Sequence, residues 1–268
     1  MKSSPRTILG GIALAALMVV STAAIVAAAD PSPVPSGGPA GKTICRPQRD
    51  SLTSKPTLEQ LKAFGDCEIA RRFTTLNDLA ARIADAKFAT SEHKTALGDE
   101  VSSTKSGLTA LKTKIDAETG LEAMKGEIRQ IATDFRVYVL VAPKVNLVLG
   151  ADRVAASETK FDAIDKRLGD LIAKAEAAGK DVTDARAHLA NMNAAVDKAL
   201  GLASPLAAEL LPLTPAQFNA GTAGPILTDA RTKLGEARTQ LRTAAAEAKA
   251  CRDALVKLGA APVASPTA

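Results

Sequence analysis

The amino-acid sequence predicts an all-α protein, an extended antiparallel helical bundle of coiled-coil character with three to four long helices. Composition is the first indication, because 46% of the residues are hydrophobic, 24% are charged and only 3% are aromatic. Long packed helices with an aliphatic, alanine-rich core have this composition. The second indication is that apolar residues recur at alternating intervals of three and four residues. The third is that glycine and proline separate these periodic stretches.

Residues 1–29 have the layout of an export signal. Lys2 and Arg6 supply positive charge, an apolar stretch follows, and consecutive alanines form a cleavage motif. We expect the mature chain to begin at Asp30 and to be secreted or associated with the cell envelope, with no membrane span after cleavage. The alternative is an uncleaved N-terminal helix that anchors the protein, since the apolar stretch is just long enough to cross a bilayer.

Two segments outside the periodic stretches are expected to be irregular. Residues 30–57 are rich in proline, glycine and serine and lack apolar periodicity, which predicts a flexible tether. Residues 260–268 are expected to end the chain as a disordered tail. The helical bundle domain is therefore predicted to span residues 58–259.

The first helical segment is predicted to start near Glu59 or Cys67 and to end near Gly120, where the chain must turn. Its apolar stripe becomes polar half-way along. Thr90 lies just ahead of Glu92 at that point and is a suitable N-cap residue. We therefore expect the helix to break or kink there.

The chain is organised around residues 128–154, its longest apolar run after the N-terminus. The heptad spacing predicts one central helix from about Leu121 to about Gly179. Pro143 lies inside this helix, so it should remove a backbone hydrogen bond and bend the helix unless neighbouring groups compensate. A strand is the alternative for residues 137–141, which are rich in β-branched and aromatic side chains.

The predicted central helix is apolar on two faces around the proline, and we call these residues the apolar belt. The belt consists of Phe135, Val137, Tyr138, Val141, Val145 and Val148. We expect other helices of the same chain to cover it, because interface hot spots are typically richer in Trp, Tyr and Arg. The alternative is that the belt binds a partner or a ligand.

Four basic residues lie beside the apolar belt in the sequence: Arg129, Arg136, Lys144 and Arg153. We expect them to be solvated or ion-paired side chains at the flanks of a helix. The alternative is that they form the rim of a groove that binds a partner.

Two further helices are predicted after the central one. Gly179 closes the central helix, and Asp181 can cap the next, whose apolar stripe continues to Leu210. Residues 211–225 are rich in proline and glycine and form the clearest break in the mature chain. The final helix alternates leucine and alanine along its stripe, which permits close helix packing.

The sequence contains three cysteines, and export would place them in an oxidising compartment. In the layout described above, Cys67 at the start of the first helix and Cys251 near the end of the last helix lie at the same end of the bundle. We therefore predict a Cys67–Cys251 disulfide. The main alternative is Cys45–Cys67, because Cys45 lies on the predicted tether and can reach Cys67.

Three stretches resemble a group of exported, helix-rich bacterial proteins with no established activity. They are RRFTTLNDLAARI, GLTALKTKIDAET and TDFRVYVLVAPK, at residues 71–83, 107–119 and 133–144. The resemblance extends over roughly residues 71–258. It implies export and an all-helical fold, and it brings no functional residue with it.

Charge and motif content disfavour several functions. The formal net charge of +5 is weak, and basic and acidic residues are interleaved rather than clustered, so we expect no nucleic-acid binding. His93 and His188 are expected on the surface, and the chain has no motif typical of a metal site, a phosphate loop or a nucleophile elbow. We therefore expect no cofactor, no metal and no enzymatic activity.

The sequence thus favours an exported, non-enzymatic structural or protein-interaction module of the cell envelope, which either binds an unknown protein partner or self-associates. The alternative is a carrier of an apolar ligand held between helices near Tyr138, because loosely filled alanine-rich seams can open a cavity.

Overall fold

A computed structural model describes residues 44–52 and 55–259, and all secondary structure among them is helical. The predicted export signal at 1–29 and the predicted tail at 260–268 lie outside these residues. In chain order the helices are α1 (Arg46–Asp50), α2 (Leu58–Asp85), α3 (Ser91–Ala117), α4 (Leu121–Thr133), a π-helix (Val137–Val141), α5 (Ala142–Ala155), α6 (Glu158–Ala177), α7 (Thr183–Ala203), α8 (Leu206–Leu210), α9 (Pro215–Asn219) and α10 (Ala223–Lys257). The all-α prediction is confirmed.

The break predicted at Thr90 separates α2 from α3. The Thr90 side chain accepts a hydrogen bond from the backbone N–H of His93, which starts α3 at the expected place. The two helices form an antiparallel hairpin, because residues later in α3 contact residues earlier in α2. Lys105 Nζ lies 2.8 Å from Asn77 Oδ1, and Lys112 Nζ lies 2.6 Å from Asp66 Oδ1, farther from the turn.

The prediction of one continuous helix from Leu121 to Gly179 is wrong. The segment contains α4, the π-helix, α5 and α6, with breaks at 134–136 and at 156–157. Pro143 is the second residue of α5 and directly follows the π-helix, whose wider turn continues into α5 without a break. The strand alternative for 137–141 is also wrong, since these residues are helical.

Helix α5 occupies the centre of the molecule. It packs against α2 on one side and against α7, α8 and α10 on the other, while α4 covers α2 and α3. The first layer is therefore α2, α3 and α4, and the second is α6, α7 and α10. The three-to-four-helix arrangement is not confirmed, because five of the described helices are 20 residues or longer.

The second layer is a set of antiparallel helices. Gly179 reverses the chain with a φ of +74°, and Asp181 Oδ1 then accepts from the backbone N–H of Thr183. The N-cap of α7 is nevertheless Val182, without a side-chain cap, so the prediction that Asp181 caps this helix is wrong. Helices α7 and α10 form the most extensive pair, and alanines supply much of the seam. The predicted loop at 211–225 is partly helical, because it contains α9 and the first residues of α10.

The predicted Cys67–Cys251 disulfide is wrong. Cys67 pairs with Cys45, with an S–S distance of 2.09 Å, and Cys251 is a buried free thiol. This bond holds α1 against α2, so residues 44–52 are not the flexible tether that the composition predicts. The composition does not indicate this pairing, because the predicted tether contains the short helix α1, with Cys45 only 4% exposed at its start.

The disulfide gives a prediction for mapping and for stability. We expect non-reducing peptide mapping to recover Cys45 and Cys67 in one cross-linked peptide. Cys251 should resist alkylation in the folded protein, because burial raises the pKa of its thiol to about 11. Reduction should lower the free energy of unfolding by at most about 3 kcal/mol, since the bond joins residues 22 positions apart. The Cys251→Ala variant should respond to reductant like the wild type, and a Cys67–Cys251 peptide would contradict the structure.

Within residues 44–52 and 55–259, no helix combines the length and the hydropathy that a bilayer-crossing segment requires.

Candidate functional site

The apolar belt packs largely inside the chain. The side chains of Val137, Val141, Val145 and Val148 are each exposed by 1% or less. Other parts of the same chain therefore cover these four valines, and they present no apolar face to a partner. Phe135 is half-buried, at the edge of the belt.

Tyr138 of the belt is held by charged side chains of α2. Its ring faces two guanidinium groups, with centroid distances of 4.5 Å to Arg71 and 5.1 Å to Arg72, so both make cation–π contacts. Glu68 is ion-paired to both arginines. Burial alone would raise the pKa of Glu68, but hydrogen bonds from Arg72 and Arg71 hold it below its ordinary value. Tyr138 is thus a packing residue of the α2 interface.

The backbone at Arg136 adopts a conformation that side-chain-bearing residues rarely take. Its φ is +44°, in the left-handed region, and it joins α4 to the π-helix. Its carbonyl accepts from the N–H groups of Leu140 at 2.8 Å and of Val141 at 3.3 Å. Such strain persists only where surrounding contacts enforce it, and both strain and π-helices are frequent at functional sites.

The contacts that hold Arg136 come from α9, more than 80 residues later in the chain. Arg136 Nε donates to Asn219 Oδ1 at 2.6 Å, and its guanidinium lies 5.3 Å from the centroid of the Phe218 ring. Asn219 Nδ2 donates in turn to the carbonyl of Thr133 at 3.0 Å. Helix α9 therefore fastens both ends of the irregular segment 134–136.

Lys144 is the most deeply buried charged side chain among the described residues, with 2% exposure. Its ammonium group donates to Glu100 Oε1 of α3 at 2.8 Å and to the carbonyl of Leu213 at 2.6 Å, and it lies 3.4 Å from the carbonyl of Leu211. Lys144 is therefore ion-paired, which is one of the two expected states, but it is buried and not at a solvated flank of the helix. Burial raises the pKa of Glu100 in spite of the attraction of Lys144.

A cleft of about 450 Å³ opens beside this ion pair, between α3, the π-helix and the segment 211–215. We call it the α3 cleft. It is lined by Ala96, Glu100, Ser103, Thr104, Gly107, Asp134, Phe135, Val141, Lys144, Leu211, Pro212, Leu213, Thr214 and Pro215. Phe135 and Val141 of the predicted belt are part of this lining, whereas Tyr138 is not.

Gly107 allows Phe135 to form the wall of the α3 cleft. A Cβ atom at residue 107 would lie 2.5 Å from Cε1 of the Phe135 ring, so the rigid ring packs directly on the backbone of α3. We expect Gly107→Ala to displace this ring and to lower the free energy of unfolding by about 1–3 kcal/mol. Chemical denaturation would measure it.

Gly98 provides a matched control for Gly107→Ala. It lies in the same helix, and nothing is within 4 Å of the position where its Cβ would be. Gly98→Ala should therefore raise the free energy of unfolding by about 0.5–1 kcal/mol, because alanine is the better helix former. Equal effects of the two variants would show that the contact between Gly107 and Phe135 does not matter.

A second polar contact joins α3 to α5. His93 Nδ1 lies 2.8 Å from Oδ1 of Asp152, whose side chain is 6% exposed. Burial raises the pKa of Asp152, although hydrogen bonding to His93 opposes the rise. His93 is thus a partly buried residue and not the surface histidine that was expected. His188 is more exposed and lies 2.7 Å from Glu247 of α10.

The raised pKa of Glu100 predicts a pH dependence of stability. The folded state holds this proton to higher pH than the unfolded state, whose carboxyl titrates near 4.5. The stabilisation is complete below that pH and is lost as the pH rises through the raised value of the folded state. We expect Glu100→Gln to flatten the fall in unfolding free energy over this interval in a urea titration series. Asp99→Asn, an exposed change on the same helix, should leave the wild-type slope unchanged.

The α3 cleft has few titratable side chains in its lining. Its titratable side chains are Glu100, Asp134 and Lys144, and the Lys144 ammonium is occupied by Glu100 and by backbone carbonyls. No group of three His, Cys, Asp or Glu residues that could hold a metal ion occurs in the described part of the chain. The sequence analysis did not identify Glu100 or the segment 211–215 as part of a site, and the one available signal was Lys144 within an otherwise apolar run.

Comparison of the chain with protein-family models, with curated proteins and with solved structures finds no match.

Proposed function

We propose that the protein is an exported, non-enzymatic helical interaction module of the cell envelope, and that the α3 cleft is where it binds its partner molecule. The observation that carries the proposal is the position of this cleft. A buried ion pair, a π-helix and a strained backbone residue all border it or lie next to it. Binding sites are typically concave, with a few converging polar groups on a largely apolar wall.

The cost of this local structure supports a functional role. A non-glycine residue in the left-handed region costs on the order of 1–3 kcal/mol. Burying the Lys144 ammonium carries a desolvation penalty as well. Helix α9 holds Arg136 in this conformation, and the carbonyls of residues 211 and 213 accept from the Lys144 ammonium. A chain that needed only a packed bundle could have continued α4 directly into α5.

A carrier of an apolar ligand is the second candidate function. One observation favours it, which is that the half-buried Phe135 ring of the apolar belt lines the cleft. Tyr138, near which the sequence locates such a ligand, is covered by two arginines instead. The ligand of a carrier would therefore occupy the α3 cleft.

Native mass spectrometry of the full chain purified from its own host tests both candidates. A co-purifying lipid-sized mass favours the carrier, whereas a stoichiometric small polar molecule or a discrete oligomer favours the interaction module. Ser103→Trp should fill the cleft and abolish the bound mass or the association. Ser102→Trp is the matched control, because Ser102 is exposed on the same helix and does not line the cleft.

The proposal would be contradicted if Ser103→Trp and Ser102→Trp gave the same spectrum as the wild type. In that outcome the cleft would play no part in whatever the protein binds. Circular dichroism melting of both variants would establish that they remain folded.

A further inference from the structure

The lining of the α3 cleft is rich in hydrogen-bond acceptors. Glu100 contributes a carboxylate from α3, and Asp134 contributes one from the turn that follows α4. Ser103, Thr104 and Thr214 add hydroxyl oxygens, which accept as well as donate. Lys144 contacts the Oε1 atom of Glu100, and a carboxylate has a second oxygen that can accept further bonds. A donor-rich ligand therefore finds partners on both sides of the cleft.

The only cationic side chain in this lining is already engaged. Lys144 has three N–H donors, and three acceptors surround its ammonium: Glu100 Oε1 and the carbonyls of Leu211 and Leu213. An anionic ligand would thus meet two carboxylates without gaining a free ammonium or guanidinium group. Charge disfavours an anion and favours a cation.

The aromatic and proline side chains add a preference for an organic cation over a metal ion. Phe135 forms one wall, seated against Gly107, and Pro212 and Pro215 lie on the opposite segment. Aromatic rings attract ammonium groups within about 6 Å, and aliphatic carbons gain from burial against such walls. A hard metal ion would use oxygen ligands only and would leave these walls unused.

From these observations we propose that the α3 cleft binds an alkylammonium group, with Glu100 and Asp134 as its charge partners and Phe135 as its apolar wall. This inference rests on the proposed function. The ammonium group can belong to a free aliphatic amine or to a lysine side chain of a protein partner, and the two share the same recognition chemistry. The attraction of Lys144 offsets only part of the cost of burying the negative charge of Glu100, and a second cation in the cleft would offset more of it.

Isothermal titration calorimetry on the full chain at low salt tests the inference, with 1,4-diaminobutane and Nα-acetyl-lysine methylamide as probes. Succinate, an anion of similar size, serves as the opposite-charge probe. We expect saturable binding of at least one amine and none of succinate. Tighter binding of the diamine assigns the site to a free amine, and tighter binding of the lysine derivative assigns it to a protein side chain.

Charge-neutral variants locate the binding. Asp134→Asn, at an exposed residue, and Glu100→Gln should each weaken amine binding by about tenfold or more, because a charged hydrogen bond is lost. Asp99→Asn removes a carboxylate from α3 outside the cleft and should leave the affinity unchanged. Because Glu100→Gln also alters the contact with Lys144, Asp134→Asn provides a second test that leaves the buried ion pair intact.

Two results would overturn the inference. One is the absence of amine binding, and the other is amine binding that the Asp134 and Glu100 variants do not change. If amine binding fails while Ser103→Trp still abolishes the mass found by native mass spectrometry, the cleft remains the binding site and only the ligand class is wrong. If Ser103→Trp changes nothing, the proposed function fails as well.

Discussion

Val141→Asp is expected to unfold the protein. Val141 lies at the end of the π-helix, 1% exposed, and belongs to the apolar belt around which the two layers pack. An aspartate at this position would be buried without a partner, or would have to separate the helices to reach water. We expect a loss of about 4 kcal/mol or more, which is a large fraction of the roughly 5–15 kcal/mol by which native domains are stable. Circular dichroism melting and urea denaturation would measure it.

Val139→Asp is the matched control, because it makes the same chemical change two residues away in the same π-helix. Val139 is 41% exposed, so its aspartate would remain hydrated. We expect a change within about 0.5 kcal/mol of the wild type, as for most surface substitutions. If Val141→Asp melted like the wild type and lowered only the mass seen by light scattering, the belt would be an interface and not a core.

The all-helical fold could be predicted because its signals are local. Apolar residues at three- and four-residue spacing recur in α2, α3, α6, α7 and α10, and each of these helices buries that stripe. The start of α3 at Thr90 and the end of α6 at Gly179 also follow from single residues with strong positional preferences. Periodicity and capping depend on neighbours within one turn, so no tertiary information was needed.

The break between α4 and α5 could not be predicted, because its cause is distant in the sequence. The heptad spacing continues through residues 134–136 without interruption. The left-handed conformation of Arg136 is held by Asn219 and Phe218 of α9, and no local pattern identifies these partners. Pro143 predicts a kink in a continuous α-helix, whereas it lies just after a π-helix, a type of turn that heptad spacing does not indicate.

The α3 cleft escaped prediction for a related reason. Lys144 reads as a helix flank, since a lone lysine beside apolar residues usually reaches water. Its burial depends on Glu100, which lies 44 residues earlier, and on carbonyls in the segment 211–215. Those acceptors exist only once three separate parts of the chain have come together. The pattern of apolar and polar residues along the chain gives no information about such tertiary contacts between distant segments.

Lys144→Met is expected to be the most damaging change at the cleft itself. Methionine resembles the aliphatic stem of lysine, so the packing volume is nearly kept, but the ammonium is lost. The partly buried carboxylate of Glu100 is then left without its cation, and the carbonyl of Leu213 loses a 2.6 Å hydrogen bond. Removal of one partner of a buried ion pair typically costs about 3–5 kcal/mol. Urea denaturation would measure the loss, and hydrogen exchange should accelerate at residues 211–215.

The double variant Lys144→Met/Glu100→Gln separates the charge from the packing. If most of the loss comes from an uncompensated Glu100 carboxylate, neutralising that residue should recover a large share of it, so the double variant should be more stable than Lys144→Met alone. The share that is not recovered then measures the bonds from Lys144 to the 211–215 segment. If the double variant instead loses the sum of the two single changes, Lys144 stabilises the protein through those carbonyls alone, and Glu100 is free to serve a ligand in the cleft.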